Sequence, residues 1–213
     1  MTDLQTLKTA LSEVPIVPVL TIERAEDAVP LATALSAGGL TVAEVTLRTS
    51  AALPAITAMR EAAPDLIVGA GTITELDHVA HAIEAGAEFL VSPGLTPALA
   101  DALKDNDVPA FPGVATAGEA MTWSAFGFQF LKLFPAVPIG GIGLLKALKD
   151  PLPDIQFMPT GGITGSTAPD FLALPNVIAV GGSWMISRED VATGNWTRIE
   201  QTVRASVDLG RTA

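Results

Sequence analysis

The chain has 213 residues, 49% hydrophobic and 16% charged, a composition that can bury a sizeable core and excludes an intrinsically disordered chain. Its net charge is −11, with 12 Lys+Arg against 23 Asp+Glu, which argues against nucleic acid or an anionic membrane surface as a partner. There is no cysteine, so disulfides, thiolate catalysis and cysteine-held metals are excluded.

The start, Met1-Thr2-Asp3-Leu4-Gln5, lacks the basic and apolar regions of a signal peptide. No apolar run reaches the roughly 18 to 20 residues that would span a bilayer, so a cytoplasmic protein is expected. The sequon Asn195-Trp196-Thr197 is accordingly read as a helix start. Leu4, Leu7 and Leu11 at helical spacing behind Asp3 predict a short amphipathic helix over 2–13. Val14–Leu20 follows as a first strand, then a helix from Glu23 to Ala37, ending at Gly38-Gly39. Further strands are expected at Val42–Leu47, Leu66–Thr72, Glu88–Pro93, Pro109–Val114, Phe130–Pro135, Ile155–Thr160 and Val177–Gly182. Helices are expected between them at Ser50–Ala63, Glu75–Ala85, Thr96–Asn106, Ala117–Phe126, Gly141–Leu148 and Ala168–Leu174. A short helix near Arg188 and a longer one over Trp196–Leu209 close the chain.

Eight strands each followed by a helix, with no linker or low-complexity break, predict a single-domain (β/α)8 TIM barrel over 1–213, with one extra N-terminal helix. A doubly wound open sheet is the alternative. It lacks support because no Gly-x-Gly-x-x-Gly or Walker-type loop is present.

In such barrels the chemistry sits at the C-terminal strand ends. Those ends carry Glu44 and Arg48, Thr72, Ser92 and Pro93, Lys132, Thr160-Gly161-Gly162, and Gly181-Gly182-Ser183. Lys132 is the most unusual, an ammonium inside the apolar run Phe128-Gln129-Phe130-Leu131-Lys132-Leu133-Phe134-Pro135. Alternation puts Phe130, Lys132 and Phe134 on one face and Leu131 and Leu133 on the other. Burial disfavours an ammonium and favours the free, imine-forming amine. The plainer reading is a lysine whose head reaches water at a strand end. Glu44, Thr46 and Arg48 share a face with Val42, Glu44 deep and Arg48 roughly 13 Å further on at the mouth. His78 and His81 fall on a helix and read as a solvated face. Without cysteine or a histidine cluster at the strand ends, the usual ligands of a catalytic divalent metal are missing, and no cofactor is expected.

A buried lysine beside a buried glutamate suits imine formation at a ketone, followed by making or breaking a C–C bond, with the carboxylate moving protons. A structural Lys132–Glu44 ion pair without chemistry is the other reading. Glycine pairs after the last two strands, Gly161-Gly162 and Gly181-Gly182-Ser183, lie where barrels often bind phosphate.

At these residues the chain resembles the 2-keto-3-deoxy-6-phosphogluconate aldolase family, also active on 4-hydroxy-2-oxoglutarate. The matching stretches include Pro18-Val19-Leu20, Glu44-Val45-Thr46-Leu47-Arg48-Thr49, Val68-Gly69-Ala70-Gly71-Thr72, Val91-Ser92-Pro93-Gly94, Phe111-Pro112-Gly113, Leu131 to Ala136, Pro159 to Ile163 and Gly181 to Trp184. The resemblance implies a metal-independent class I aldolase of the Entner–Doudoroff route, releasing pyruvate and glyceraldehyde 3-phosphate. It implies Lys132 as the Schiff-base lysine and Glu44 as the proton acceptor and donor. Arg48 and Thr72 would hold the pyruvate carboxylate, with Pro93, Phe134 and Thr160 lining the pocket. Gly161, Gly162, Gly182 and Ser183 would bind phosphate. The resemblance also implies a homotrimer. Leu131 departs from it, since phenylalanine is common there, but should face away from the substrate. The strand-2 wording favours the gluconate over the galactonate epimer. Two rival classes remain: a phosphosugar isomerase or epimerase using Glu44 without covalent chemistry, and a non-catalytic phosphate-ligand binding barrel.

Overall fold

A computed structural model describes residues 2–211; Met1 of the expected N-terminus and residues 212 and 213 of the expected single unit lie outside them. In chain order the elements are α1 (Leu4–Glu13), β1 (Ile16–Leu20), a 3-10 turn (Ala25–Asp27), α2 (Ala28–Ala37), β2 (Val42–Thr46), α3 (Ala52–Ala62) and β3 (Ile67–Gly71). Next come α4 (Leu76–Glu84), β4 (Leu90–Val91), α5 (Pro97–Lys104), β5 (Ala110–Phe111), β6 (Gly113–Val114), α6 (Ala117–Ala125) and β7 (Phe130–Leu133). The last are α7 (Gly141–Lys149), β8 (Gln156–Pro159), α8 (Ala168–Leu172), β9 (Val180–Gly182), α9 (Arg188–Ala192) and α10 (Trp196–Arg211).

The fold is α/β with parallel strands throughout. Six strands form one ladder in the order β5-β4-β3-β2-β1-β9, and three form another, β6-β7-β8. Single parallel bridges, Phe157↔Val177 and Thr160↔Gly181, lie between the β8 and β9 segments. Nine ladder strands stand where eight were expected, because the fifth is interrupted. Pro112 has no N–H to donate, so Ala110–Phe111 pairs with β4 and Gly113–Val114 pairs with β7. The strand expected over Glu88–Pro93 keeps ladder pairing only at Leu90–Val91. The helix expected from Glu23 begins as the 3-10 turn, and α2 proper starts at Ala28. Asn195 sits immediately before α10 and accepts from the Arg198 and Ile199 N–H groups, as a helix start should.

Strand alternation divides the interior in two. Ala43, Val45, Leu131 and Leu133 point into a large core shared with the helices, which extends from Val14 to Val207. Val42, Phe89, Phe111, Phe130 and Met158 point the other way into a second cluster, closed by Leu7 and Leu11 of α1. Phe111 stacks on Phe130 at 5.6 Å and meets the edge of Phe89 at 6.2 Å. The second cluster is therefore the floor beneath Glu44 and Lys132, and α1 seals it from below.

Helix α6 begins with a reciprocal cap. Thr116 Oγ1 accepts from Glu119 N–H at 3.2 Å, while Glu119 Oε2 accepts from the N–H groups of Ala115 at 2.8 Å and Thr116 at 2.9 Å. The Ala115 N–H is the chief reason the Glu119 carboxyl lies below the usual carboxylate range, with Thr116 adding to it against the opposing effect of partial burial. A carboxyl lowered on folding stabilises above its unfolded pKa, and that contribution is lost as pH falls through the folded value. Glu119→Gln should therefore lower Tm at neutral pH, and the gap to the parent should narrow as pH falls below the ordinary glutamate range. Thr116→Ala should cost about 1 kcal/mol in urea unfolding at neutral pH.

Candidate active site

Glu44 lies mid-strand in β2 and Lys132 in β7, and they meet between the two ladders. Lys132 Nζ donates to Glu44 Oε1 at 3.3 Å, with 6% of the lysine side chain and none of the glutamate side chain exposed. In register, Glu44 stands beside Val19 and Gly69, and Lys132 beside Gly113 and Met158. Gly71 lets the carboxylate sit where it does, since a Cβ there would overlap Glu44 Oε1. The Lys132 ammonium also lies 5.4 Å from the centre of the Phe134 ring, within cation–π range. Phe134 is thus an electrostatic partner of the ammonium as well as part of its apolar surroundings.

Glu44 Oε2 is buried without a hydrogen-bond partner among the described residues. An unsatisfied buried carboxylate oxygen carries a desolvation penalty that folding alone does not repay. A site that hands protons to a bound molecule needs such an uncommitted oxygen.

Arg48 does not reach Glu44. Its Nε donates to Thr72 Oγ1 at 3.2 Å, at the exposed end of β2. Thr72 holds φ at 62°, the left-handed region that costs a β-branched residue about 1 to 3 kcal/mol. The strain turns the Thr72 hydroxyl toward Arg48 and so fixes the guanidinium at the mouth. Between the two charged groups, fully buried Thr46 bonds the Leu20 carbonyl at 2.7 Å and lies 3.2 Å from Thr21 Oγ1.

Pro93 is half-buried, its backbone against Gly113, the register partner of Lys132. Ser92, which sequence reasoning noted without a role, is fully buried and its hydroxyl accepts from Gly113 N–H at 3.3 Å, tying β4 to the strand beside Lys132. Thr160 is buried near Gly181, and Gly161 packs on Phe134 and Pro135. Gly161 and Gly162 hold φ at 104° and 82°; Gly161 follows the Thr160–Gly181 bridge, and the Gly162 N–H donates no hydrogen bond among the described residues. Gly182 is buried beneath the Trp184 ring, so packing also demands a glycine there, while Ser183 is exposed. His78 accepts from Thr74 N–H at 3.3 Å on α4, and His81 is exposed on the same helix.

Beyond Arg48 opens a cleft of ≈ 670 Å³ over the ends of β1, β2 and β9, lined by Thr21, Glu23, Arg24, Arg48, Ser183 and Arg188 among others. Arg24 is fixed there by a two-point bond to Asp27, at 2.9 and 2.7 Å, and Asp27 is itself buried. Sequence reasoning missed this pair. Its only signal was an arginine three residues ahead of an aspartate at a helix start.

Residues 7–202 match the family model described as KDPG and KHG aldolase. The chain is 45% identical over 202 residues to the 2-dehydro-3-deoxy-phosphogluconate aldolase of Pseudomonas aeruginosa, covering 95% of this chain and 92% of that one. It is 42% identical over 194 residues to the KHG/KDPG aldolase of Escherichia coli K12, covering 91% of each. Among solved structures it superposes, with a TM-score of 0.90 and 40% identity, on a Legionella pneumophila KDPG aldolase holding pyruvate as a covalent carbinolamine intermediate; 93% of this chain and 96% of that one are covered.

If Lys132 and Glu44 neutralise each other in the interior, removing one strands the other. Lys132→Met should cost about 3 to 5 kcal/mol in urea unfolding, and adding Glu44→Leu should recover most of it.

Proposed function

From the premise that the chain belongs to the KDPG and KHG aldolase family, we propose that it cleaves 2-dehydro-3-deoxy-6-phosphogluconate to pyruvate and glyceraldehyde 3-phosphate in the Entner–Doudoroff pathway. It is a lyase, a class I pyruvate aldolase, and 4-hydroxy-2-oxoglutarate is a second substrate, giving pyruvate and glyoxylate. The observation that carries the mechanism is the buried 3.3 Å contact between Lys132 and Glu44, with the second glutamate oxygen free.

In this reading Lys132 passes a proton to Glu44 along that contact, and the free amine attacks the C2 ketone. The protonated Glu44 returns its proton to the carbinolamine hydroxyl, which leaves as water, and an iminium remains on Lys132. Glu44, again a carboxylate, takes the C4 hydroxyl proton as the C3–C4 bond breaks; the bond's electron pair flows into the iminium, the aldehyde departs, and Glu44 holds the proton for C3. The enamine takes a proton at C3, and water releases pyruvate from Lys132. Both glutamate oxygens have work to do: Oε1 faces the amine, and Oε2 is uncommitted toward substrate oxygens.

The other sites follow. Arg48, braced by Thr72, holds the pyruvate carboxylate; Pro93, Phe134 and Thr160 bound the reacting carbons. Gly161 and Gly162, with Gly182 and Ser183, receive the phosphate through backbone N–H groups such as that of Gly162, uncharged donors suited to an anion in an acidic chain. The substrate has the gluconate configuration, following the β2 wording. No cofactor is required, and among the described residues no group of three or more His, Asp or Glu is arranged to hold a metal.

The same reading takes residues 1–213 as one (β/α)8 barrel capped by the extra helix α1. Its support is that β5 and β6 are one strand broken at Pro112, and that single bridges join the β8 and β9 segments. It also takes the protein as a cytoplasmic homotrimer without nucleic-acid or membrane partners. No helix among the described residues is long and apolar enough to cross a membrane, and exposed Leu76, Met121 and Phe126 offer apolar surface that subunits would cover.

Borohydride reduction in the presence of pyruvate should leave a stable adduct that peptide mapping locates on Lys132; an unmodified Lys132 in active enzyme would refute the mechanism. Lys132→Arg should abolish turnover, and Glu44→Gln should lower kcat about 10² to 10⁴-fold. Thr72→Gly should move two measurements in opposite senses: Tm rises as backbone strain is relieved, while the KM of pyruvate-releasing substrates rises as Arg48 loses its brace.

A further inference from the structure

The cleft beyond Arg48 is unusually cationic for this chain. With 23 acidic residues against 12 basic, most arginines find a carboxylate: Arg24 with Asp27, Arg60 with Glu88, Arg198 with Asp190 and Arg204 with Glu200. Arg48, Arg188 and Arg211 form no ion pair among the described residues, and the first two line this cleft. Arg48 at least has Thr72; Arg188, the first residue of α9, is exposed and its guanidinium makes no hydrogen bond among the described residues.

Charge bookkeeping around the cleft separates its arginines by role. The charge of Arg24 is offset by Asp27, which fixes the guanidinium without leaving a net cation. Arg48 serves the carboxylate end of the substrate in the reading above. The glycine loops offer N–H dipoles but no charge. A dianion entering a protein of net charge −11 still needs one uncompensated cation at its far end, and Arg188 shares the cleft lining with Ser183. Glu23, exposed in the same lining and without an ion-pair partner among the described residues, works against it.

We infer that Arg188, opposed by Glu23, recognises the anionic group at the far end of the aldehyde fragment and sets the preference for phosphorylated over unphosphorylated substrates. This deepens the aldolase reading and rests on it. Arg188 binds and selects; it takes no part in the bond-breaking steps.

The test compares cleavage of 2-dehydro-3-deoxy-6-phosphogluconate with that of 4-hydroxy-2-oxoglutarate, whose second carboxylate lies nearer the reacting carbons. Arg188→Gln should raise KM for the phosphorylated substrate about tenfold, the loss of one charge-assisted contact, with a much smaller change for the other. Arg188→Lys should recover part of that loss, and Glu23→Gln should lower the same KM. Inorganic phosphate, as a competitive inhibitor, should weaken in Arg188→Gln and tighten in Glu23→Gln. An unchanged KM ratio between the two substrates, or an equal loss on both, overturns the inference. Borohydride trapping of pyruvate distinguishes the failures. Trapping on Lys132 with an unmoved ratio removes only the role of Arg188, whereas no trapping in the parent enzyme removes the aldolase reading and this inference with it.

Discussion

An ammonium and a carboxylate drawn from strands in two separate ladders, 88 residues apart, face each other at 3.3 Å with almost no access to water. Each charge would be prohibitive alone, so the positions of β2 and β7 are tied to one another through their side chains. The surroundings are cut to that requirement. Gly71 leaves room for the carboxylate, Gly113 and Met158 flank the lysine in register, and stacked phenylalanines below exclude solvent. Two buried apolar residues would serve stability as well or better. The free oxygen of Glu44 therefore argues for a proton-transfer role that the fold accommodates at some cost.

The mouth is organised by a second compromise. Thr72 accepts a left-handed backbone that a threonine resists, and in return its hydroxyl braces Arg48. Asp27 is buried to fix Arg24 at the rim. In an acidic chain these devices fix two guanidiniums at one opening, Arg48 with no carboxylate partner, so attraction for an anionic substrate is local while net charge elsewhere keeps other polyanions away.

Much of this was legible in the sequence because strand alternation is rigid. Period two alone put Lys132 on the face of Phe130 and Phe134, and Glu44 on that of Val42; in the structure Phe130 and Val42 share the inner cluster while Leu131, Leu133, Ala43 and Val45 share the outer core. The extended spacing of Glu44 and Arg48 correctly argued against a bond between them. Strand ends were harder. Pro112 reads as an ordinary break, yet the chain crosses it without a turn and splits its pairing between β4 and β7. Glu88 to Pro93 looks like a full strand; Glu88 donates its N–H to the Val68 carbonyl at 2.8 Å and its carboxylate takes Arg60 and the Val68 N–H, yet regular strand pairing holds only at Leu90–Val91.

What remained illegible has one physical character: it depends on which side chains tertiary structure leaves without partners. The sequence around Arg24 and Arg188 shows two arginines close to acidic neighbours, Glu23, Glu26 and Asp27 for one and Glu189 and Asp190 for the other. Local reading would pair both. In the folded chain Arg24 takes Asp27, but Asp190 turns to Arg198 and the Asn195 amide, and Arg188 keeps its charge at the cleft. Gly182 shows the converse case. Its glycine looked like a phosphate contact, yet the Trp184 ring, itself held by Ser206 Oγ at 3.2 Å, already excludes a side chain there. A residue type that two constraints demand is weak evidence for either. An arginine that faces a cleft and pairs with none of its acidic neighbours is stronger evidence, because Glu189 and Asp190 follow it directly and Asp190 is spent on Arg198.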